Sequence, residues 1–422
     1  MSILIQNGTL LCPEGPVKAD LRVEDGKIAQ LGPALPAGDS QVLDAAGKLV
    51  FPGFIDTHTH FEMNKGLPNE TADDWASGTR AAVAGGTTCV LDFAEPVKGA
   101  SLASAAEEWH RRADGRSSCH YGFHMTIKDW DLRIREELPA MTAEGITSYK
   151  VYLAYDNLRV TDGVAYEVLR AVAEQGGVVG CHCENGDLVT EGIAAQKAAG
   201  HLSPAAHPLS RPAAVEAEAV GRWLAIAELA GCPVNVVHLS TRRGLELVRA
   251  ARERGQKVYV ETCPQYLLLN DSKYQLPGFE SAKFVLSPPL RKADDQATLW
   301  EALRSGEVDT VGTDHCSFDF DGVKTLGRDG VSLNREVIDL RYVEQLCDSE
   351  PAAALGYCML LAQRELLDGR RTVRQVVDAL EARIDRAGLA SLCGRREAVP
   401  LLARPRRQEI FACFNRFRGL RL

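Results

Sequence analysis

The hydrophobic pattern of the chain changes character near residue 49. Before that point, short apolar runs (Ile3-Leu4-Ile5, Leu21-Arg22-Val23 and Lys27-Ile28-Ala29) are separated by Asn-Gly and Asp-Gly pairs. Those pairs are hairpin turn chemistry. After it, strand-like apolar runs alternate with helical stretches such as Ala213 to Ala230 and Gly244 to Arg254, the pattern of βα units feeding a parallel sheet. Eight strands are predicted: Leu49 to Ile55, Thr87 to Phe93, Cys119 to Met125, Ser148 to Leu153, Val178 to His182, Val234 to Leu239, Lys257 to Thr262 and Val308 to Thr313. Eight units over about 270 residues match an α/β fold of the (β/α)8 TIM-barrel type. No Gly-rich phosphate loop follows the first strand, which disfavours a doubly wound open sheet. The remainder reads as mostly helical, for example Thr372 to Ala387, and ends in an Arg-rich tail. The predicted organisation is a β-strand domain over 1–50, a barrel over 51–330 and an atypical helical segment over 331–422.

Charge and composition narrow the partners. A formal net charge of −9 over 422 residues argues against nucleic acid, whose phosphates need a basic face. No run approaches the roughly 18 apolar residues of a membrane helix. The start, Met1-Ser2-Ile3-Leu4-Ile5-Gln6-Asn7-Gly8, lacks the basic and apolar regions of a signal peptide. The 12 cysteines are scattered, several inside apolar runs such as Thr88-Cys89-Val90, so reduced thiols and a cytoplasmic location are expected.

Candidate chemistry collects at the predicted strand ends. The first strand runs into Asp56-Thr57-His58-Thr59-His60, and residues two apart on a strand share a face. Alone, His-x-His stands equally well for ordinary strand residues. Lys150 lies at the end of strand four, His182 of strand five, His238 of strand six and Asp314 of strand eight. That is where barrel enzymes place catalytic groups. Neutral imidazoles and carboxylates suit zinc-type ions. Lys150 as an ammonium would repel a metal. Burial lowers a lysine pKa, and a neutral amine adds carbon dioxide to give an anionic carbamate. The plainer alternative is an ion pair between Lys150 and Asp314. Cys181 and Cys183 flank His182, but their side chains should point away from its face, which favours packing. His315 should likewise turn from Asp314 toward a neighbouring strand. His110, His120, His124, His201 and His207 have no placement that argues for ligation.

The run Phe51-Pro52-Gly53-Phe54-Ile55-Asp56-Thr57-His58-Thr59-His60-Phe61 resembles the opening signature of the amidohydrolase superfamily. Five further runs resemble its hydantoinase/dihydropyrimidinase branch: Ser148 to Tyr155, His182 to Asp187, His238-Leu239-Ser240, Glu261 to Leu267 and Leu286 to Arg291. The resemblance covers residues 1 to about 329. It implies two divalent metal ions of zinc type. His58, His60 and Asp314 would hold the more buried one, and His182 and His238 the other, with carboxylated Lys150 bridging them. A hydroxide between the metals would attack a ring carbonyl. Asp314 would take its proton and pass it to the leaving nitrogen. Tyr155 would donate to the oxyanion. Ser287 would hold the imide edge through its backbone. The substrate implied is a small cyclic amide, with specificity from the loop Glu62 to Leu67, Tyr152 and Asn157. A homo-oligomer, commonly a tetramer, is the family's assembly.

The resemblance breaks after Asp314. The family's Pro-Asn-Gly and Pro-Gly loop is replaced by Leu326-Gly327-Arg328-Asp329-Gly330-Val331-Ser332-Leu333-Asn334, and its closing Gly-x-Asp-Ala-Asp-Leu stretch is missing. Residues from about 331 resemble instead the C-terminal end of predicted ABC-class ATPases, in Ile338 to Leu346 and Ala403 to Phe411. No Walker A motif accompanies them, so no ATPase activity follows. Two alternatives to an active hydantoinase or dihydropyrimidinase follow. One is a catalytically impaired or non-catalytic relative acting in binding or assembly. The other is a dihydroorotase or allantoinase, for which no carboxylate- or ureido-binding set is identified.

Overall fold

The computed structural model describes residues 2–65, 70–277 and 280–318. The predicted segment 331–422, its helix Thr372 to Ala387 and the loop from Leu326 to Asn334 lie outside the described residues, as do Gly66 and Leu67. Two compact units emerge. One comprises residues up to Ile55 with Gly85–Cys89, the other Asp56–Ala84 with the described residues from Val90.

The first unit holds strands β1 (Ser2–Gln6), β2 (Thr9–Cys12), β3 (Gly15–Lys18), β4 (Asp20–Glu24), β5 (Lys27–Gly32), β6 (Gln41–Asp44) and β7 (Leu49–Val50). They form a four-stranded sheet, β5-β4-β1-β6, and a three-stranded sheet, β3-β2-β7. Asp25-Gly26 makes the expected hairpin between β4 and β5, with both residues at positive φ. Asn7-Gly8 does not. It passes the chain from β1 in one sheet to β2 in the other, and a Cβ on Gly8 would lie 2.8 Å from Val50 Cγ2.

The eight-stranded sheet has the sequential order of a barrel, with strands β8 (Phe54–Thr59), β9 (Thr87–Ala94), β10 (His120–Thr126), β11 (Ser148–Tyr152), β12 (Val178–His182), β13 (Val234–Val236), β14 (Val258–Thr262) and β15 (Thr310–Val311). The circle closes where Thr59 bridges His315 in parallel: His60 N donates to His315 O at 2.8 Å and His315 N to His58 O at 3.3 Å. The chain therefore has the TIM-barrel fold. The first barrel strand differs from the expected Leu49 to Ile55. Pro52, which lacks a backbone donor, and Gly53 interrupt that run. Leu49–Val50 pairs with β2, and the barrel strand starts at Phe54. Strands six and eight are shorter than predicted, ending at Val236 and Val311.

Alternation along the strands sorts side chains. Val151, Cys181, Val236 and Val260, in register on four adjacent strands, join the apolar core with Trp223, Leu224 and Val248 of the outer helices. Lys150 and Gly180 pair on the opposite, inward face. Side-chain caps then fix where several strand-to-helix turns end. Asn185 caps helix Gly186–Ala198 after β12, and Thr241 caps helix Arg242–Glu253 after β13. These caps hold the turns carrying His182 and His238. Gly231, at φ 69°, closes helix Ala213–Ala230 in the left-handed conformation that glycine adopts without strain.

Candidate active site

His58 lies near the end of β8 and His60 just past it. Asp314 follows β15, at a φ of 51°. Asp56 stitches these strands together: its Oδ1 accepts from Thr313 N at 2.9 Å and from His58 N at 3.2 Å. As a result His58 Nε2 and His60 Nε2 lie 3.2 and 3.4 Å from one oxygen, Asp314 Oδ1. Ligand atoms about 2.0–2.1 Å from a tetrahedral cation sit roughly 3.3 Å from one another. His58 Nε2 is buried with no hydrogen-bond partner. A buried imidazole lone pair facing a carboxylate oxygen without a hydrogen bond is costly unless a cation or a proton lies between them. The donor set thus fits a metal ion.

A second pair faces the same mouth. His182, the last residue of β12, places Nδ1 3.0 Å from His238 Nε2, and the rings of His58 and His238 are 5.6 Å apart. His238 lies just beyond β13, at a φ of 40°. Tyr155, with φ 69°, is a third site residue in this strained region. Lys150 is fully buried in β11. Its Nζ lies 4.9 Å from the Phe93 ring centroid and 5.0 Å from that of Tyr152. Among the described residues it makes no ion pair, so the alternative of a Lys150–Asp314 pair is not what the structure holds. Gly180 stands beside it in register, and a Cβ there would meet Val237 Cγ1 at 3.1 Å and approach the Lys150 side chain.

Electrostatics follow burial. Desolvation lowers the Lys150 pKa against the pull of Asp314 and Glu261. It also lowers His238, where Lys150 and His182 add to it. Burial alone would raise the Asp314 carboxyl, but His58, His60 and His238 outweigh it and hold the group well below the usual carboxylate range. Tyr155 is pushed up by burial and keeps its proton. Its ring lies 5.0 Å from that of His182, and Ser287 is its hydrogen-bond partner.

Several residues that the strand-end pattern passed over support this set. Glu261, on β14, lies 2.6 Å from His58 Nδ1 and accepts from Thr57 Oγ1 at 2.9 Å. Glu184 Oε2 lies 2.9 Å from His182 Nε2. A carboxylate on one ring nitrogen assigns the proton there and leaves the other lone pair for ligation. Glu261 is the last residue but one of a counted strand and Glu184 sits two residues past a candidate ligand, so position could have flagged both. Phe93 stacks on His60 at 4.9 Å and on His124 at 4.7 Å. Asp92 accepts from Phe61 N, Thr59 and Trp109, and burial raises it to about 6.

The remaining histidines and cysteines sort plainly. His315 Nε2 bonds Asp73 Oδ2 at 2.8 Å, on the loop before Trp75 rather than on a strand. His124 is half-buried, with Nε2 3.0 Å from Thr57 O, and desolvation lowers it to about 4. Cys181 and Cys183 are buried in the apolar core. The eight described cysteines form no disulfide.

Comparison with known proteins agrees with this geometry. Residues 49–357 match the Amidohydrolase family, and residues 322–422 match the MRB1590 C-terminal domain. The D-hydantoinase of Geobacillus stearothermophilus is 46% identical over 330 residues, 78% of this chain and 70% of that protein. The D-hydantoinase of Ralstonia pickettii is 42% identical over 329 residues, 78% and 72% of the two chains. The crystal structure of dihydropyrimidinase from Brevibacillus agri NCHU1002 superposes with a TM-score of 0.76 at 41% identity, covering 79% of this chain and 72% of that one.

Proposed function

The chain belongs to the amidohydrolase family and is a metal-dependent cyclic amidohydrolase; from that premise we propose how its own residues divide the work. His58, His60 and Asp314 would hold one divalent ion and His182 and His238 a second, both of zinc type. The Lys150 amine would add carbon dioxide, losing one proton, and its carbamate would supply anionic oxygen ligands to the ions. Such ions, when bound, would supply Lewis acidity to a ring carbonyl and lower the pKa of bound water.

The remaining steps belong to side chains. Asp314, held ionised by its histidine neighbours, accepts the proton of the attacking water and delivers it to the leaving ring nitrogen. Tyr155, protonated through its burial, donates to the oxyanion as the carbonyl carbon becomes tetrahedral. Ser287 presents its backbone to the imide edge. Hydantoins and dihydropyrimidines are the substrates. A homo-oligomer, tetrameric in the family pattern, and a cytoplasmic location complete this reading. No described helix is long and apolar enough to cross a membrane.

The observation that carries the proposal is the convergence of His58 Nε2, buried and without a hydrogen bond, and His60 Nε2 on one Asp314 oxygen. The test is metal analysis of the purified protein with hydrolysis of hydantoin and dihydrouracil before and after chelation. Two equivalents of metal and chelator-sensitive ring opening are expected. Full turnover by a metal-free protein would refute the reading. The missing Pro-Asn-Gly loop and the foreign C-terminal match favour a second reading, a catalytically impaired relative. Full metal without turnover on any cyclic amide would select it. The likeness of residues after 331 to the C-terminal end of predicted ABC-class ATPases remains part of this second reading.

A further inference from the structure

Arg211 is a buried cation to which the mechanism above gives no role. It follows the short helix His207–Ser210 and is 2% exposed. Its Nη1 lies 3.2 Å from Glu184 Oε2 and donates to Ser287 Oγ at 2.7 Å. The same Glu184 oxygen lies 2.9 Å from His182 Nε2. One guanidinium nitrogen therefore touches both the carboxylate that orients a candidate ligand and the residue that would hold the ring.

The position of Arg211 is itself over-determined. Arg291 Nη1 donates to the Arg211 carbonyl at 2.7 Å, while Arg291 Nε donates to Ser240 Oγ at 2.9 Å and Nη2 lies 3.4 Å from Glu216 Oε2. Glu216 also accepts from Ser240 N and Thr241 N in the turn after His238. On the other side, Ser210 approaches helix Gly186–Ala198 so closely that a Cβ on Gly192 would lie 2.2 Å from the Ser210 carbonyl oxygen. A chain of buried polar bonds thus runs from the His238 turn through Arg291 and Arg211 to both Glu184 and Ser287.

We propose that Arg211 is a positioning residue that couples the metal position at His182 to the ring-binding segment at Ser287. The inference rests on the reading above, in which His182 holds metal and Ser287 holds the ring. The physical reason is one buried guanidinium nitrogen shared by two acceptors. Without Arg211 the Glu184 carboxylate keeps its charge in a dry interior with one cation fewer, so it orients His182 less firmly. Ser287 at the same time loses one of the groups that fix its side chain, Tyr155 being another. A lysine ammonium carries three donors but has a shorter reach on a more flexible stem, so it restores the two contacts only in part.

The test compares Arg211→Met and Arg211→Lys with Glu184→Gln and Ser287→Ala. The readouts are zinc retention against a chelator, KM and kcat for dihydrouracil, and circular dichroism to verify folding. His182→Ala is the control for the underlying reading. It should hold one equivalent of zinc fewer than the native protein, and full retention would refute both that reading and the proposal. With the control in order, Glu184→Gln should weaken zinc about 10–100-fold with KM little changed, the usual effect of removing an outer partner. Ser287→Ala should raise KM with zinc retained. Arg211→Met should do both, and Arg211→Lys both in smaller measure. A folded Arg211→Met protein that moves neither quantity, or only one, overturns the coupling. Should Arg211→Met not fold, Arg211→Lys decides alone: zinc retention and KM must both shift, and either one unchanged overturns the proposal.

Discussion

Replacing Glu261 with Gln removes one buried charge while keeping the shape of the side chain. In the native protein Oε1 lies 2.6 Å from His58 Nδ1 and accepts from His238 N at 3.3 Å, while Oε2 accepts from Thr57 Oγ1 at 2.9 Å. One carboxylate thus orients one candidate ligand through its ring and another through its backbone. Burial would raise the Glu261 carboxyl, but His58 outweighs it and holds the group ionised. Gln keeps a carbonyl acceptor for His58 and His238 and turns its amide toward Thr57, whose hydroxyl can accept, so the change is the loss of the negative charge from the His58 bond. A hydrogen bond to a charged group contributes about 1.5–3 kcal/mol net. Since about 1.4 kcal/mol is tenfold in an equilibrium constant, zinc affinity should fall about 10–100-fold, matching the usual effect of outer-shell partners. The assay is competition for zinc with a chromogenic chelator at neutral pH, with denaturant unfolding of the metal-free protein as the stability control. Native zinc affinity in the variant would refute the argument that Glu261 fixes the His58 tautomer.

Three further outcomes follow from the same geometry. Lys150→Ala should remove the bridging group and abolish turnover, with loss of metal measured by elemental analysis; unchanged turnover would exclude the carbamate. Tyr155→Phe removes one oxyanion donor and should lower kcat about 10²–10³-fold with KM little altered; an equal fall in affinity with kcat intact would assign Tyr155 to ground-state binding. Glu184, where Arg211 and the His182 bond overcome desolvation, is held at about 2, below an unfolded value of about 4.3. Its contribution to stability is therefore complete above the unfolded value and lost as pH falls from there toward 2. Glu184→Gln should flatten the acid side of the stability curve of the metal-free protein in that window, and an unaltered slope in denaturant titrations would contradict it.

The β/α alternation was legible in the chain because burial on both faces writes a parallel strand as an apolar run, and helix Ala213–Ala230 falls within its predicted bounds. Candidate donors were legible as well, because barrel geometry ties chemistry to strand ends and the polar residue ending an apolar run stands out. Local signals misled where chain breaks mattered. Pro52-Gly53 divides Leu49 to Ile55 between two sheets, and Asn7-Gly8, a hairpin signal by composition, carries the chain between sheets instead. Turn chemistry specifies a local dihedral, not which strand becomes the partner.

Only the tertiary structure decided which polar groups meet. Asp56 bonds Thr313, Glu261 lies against His58, and Arg211 joins Glu184 to Ser287, each across sequence separations that no periodicity encodes. The sequence by itself determined the alternation, the positions of the caps and the kinds of ligand available. Barrel closure at Thr59 and His315 decided that His58, His60 and Asp314 converge, because circular strand pairing brings the first and last strands together.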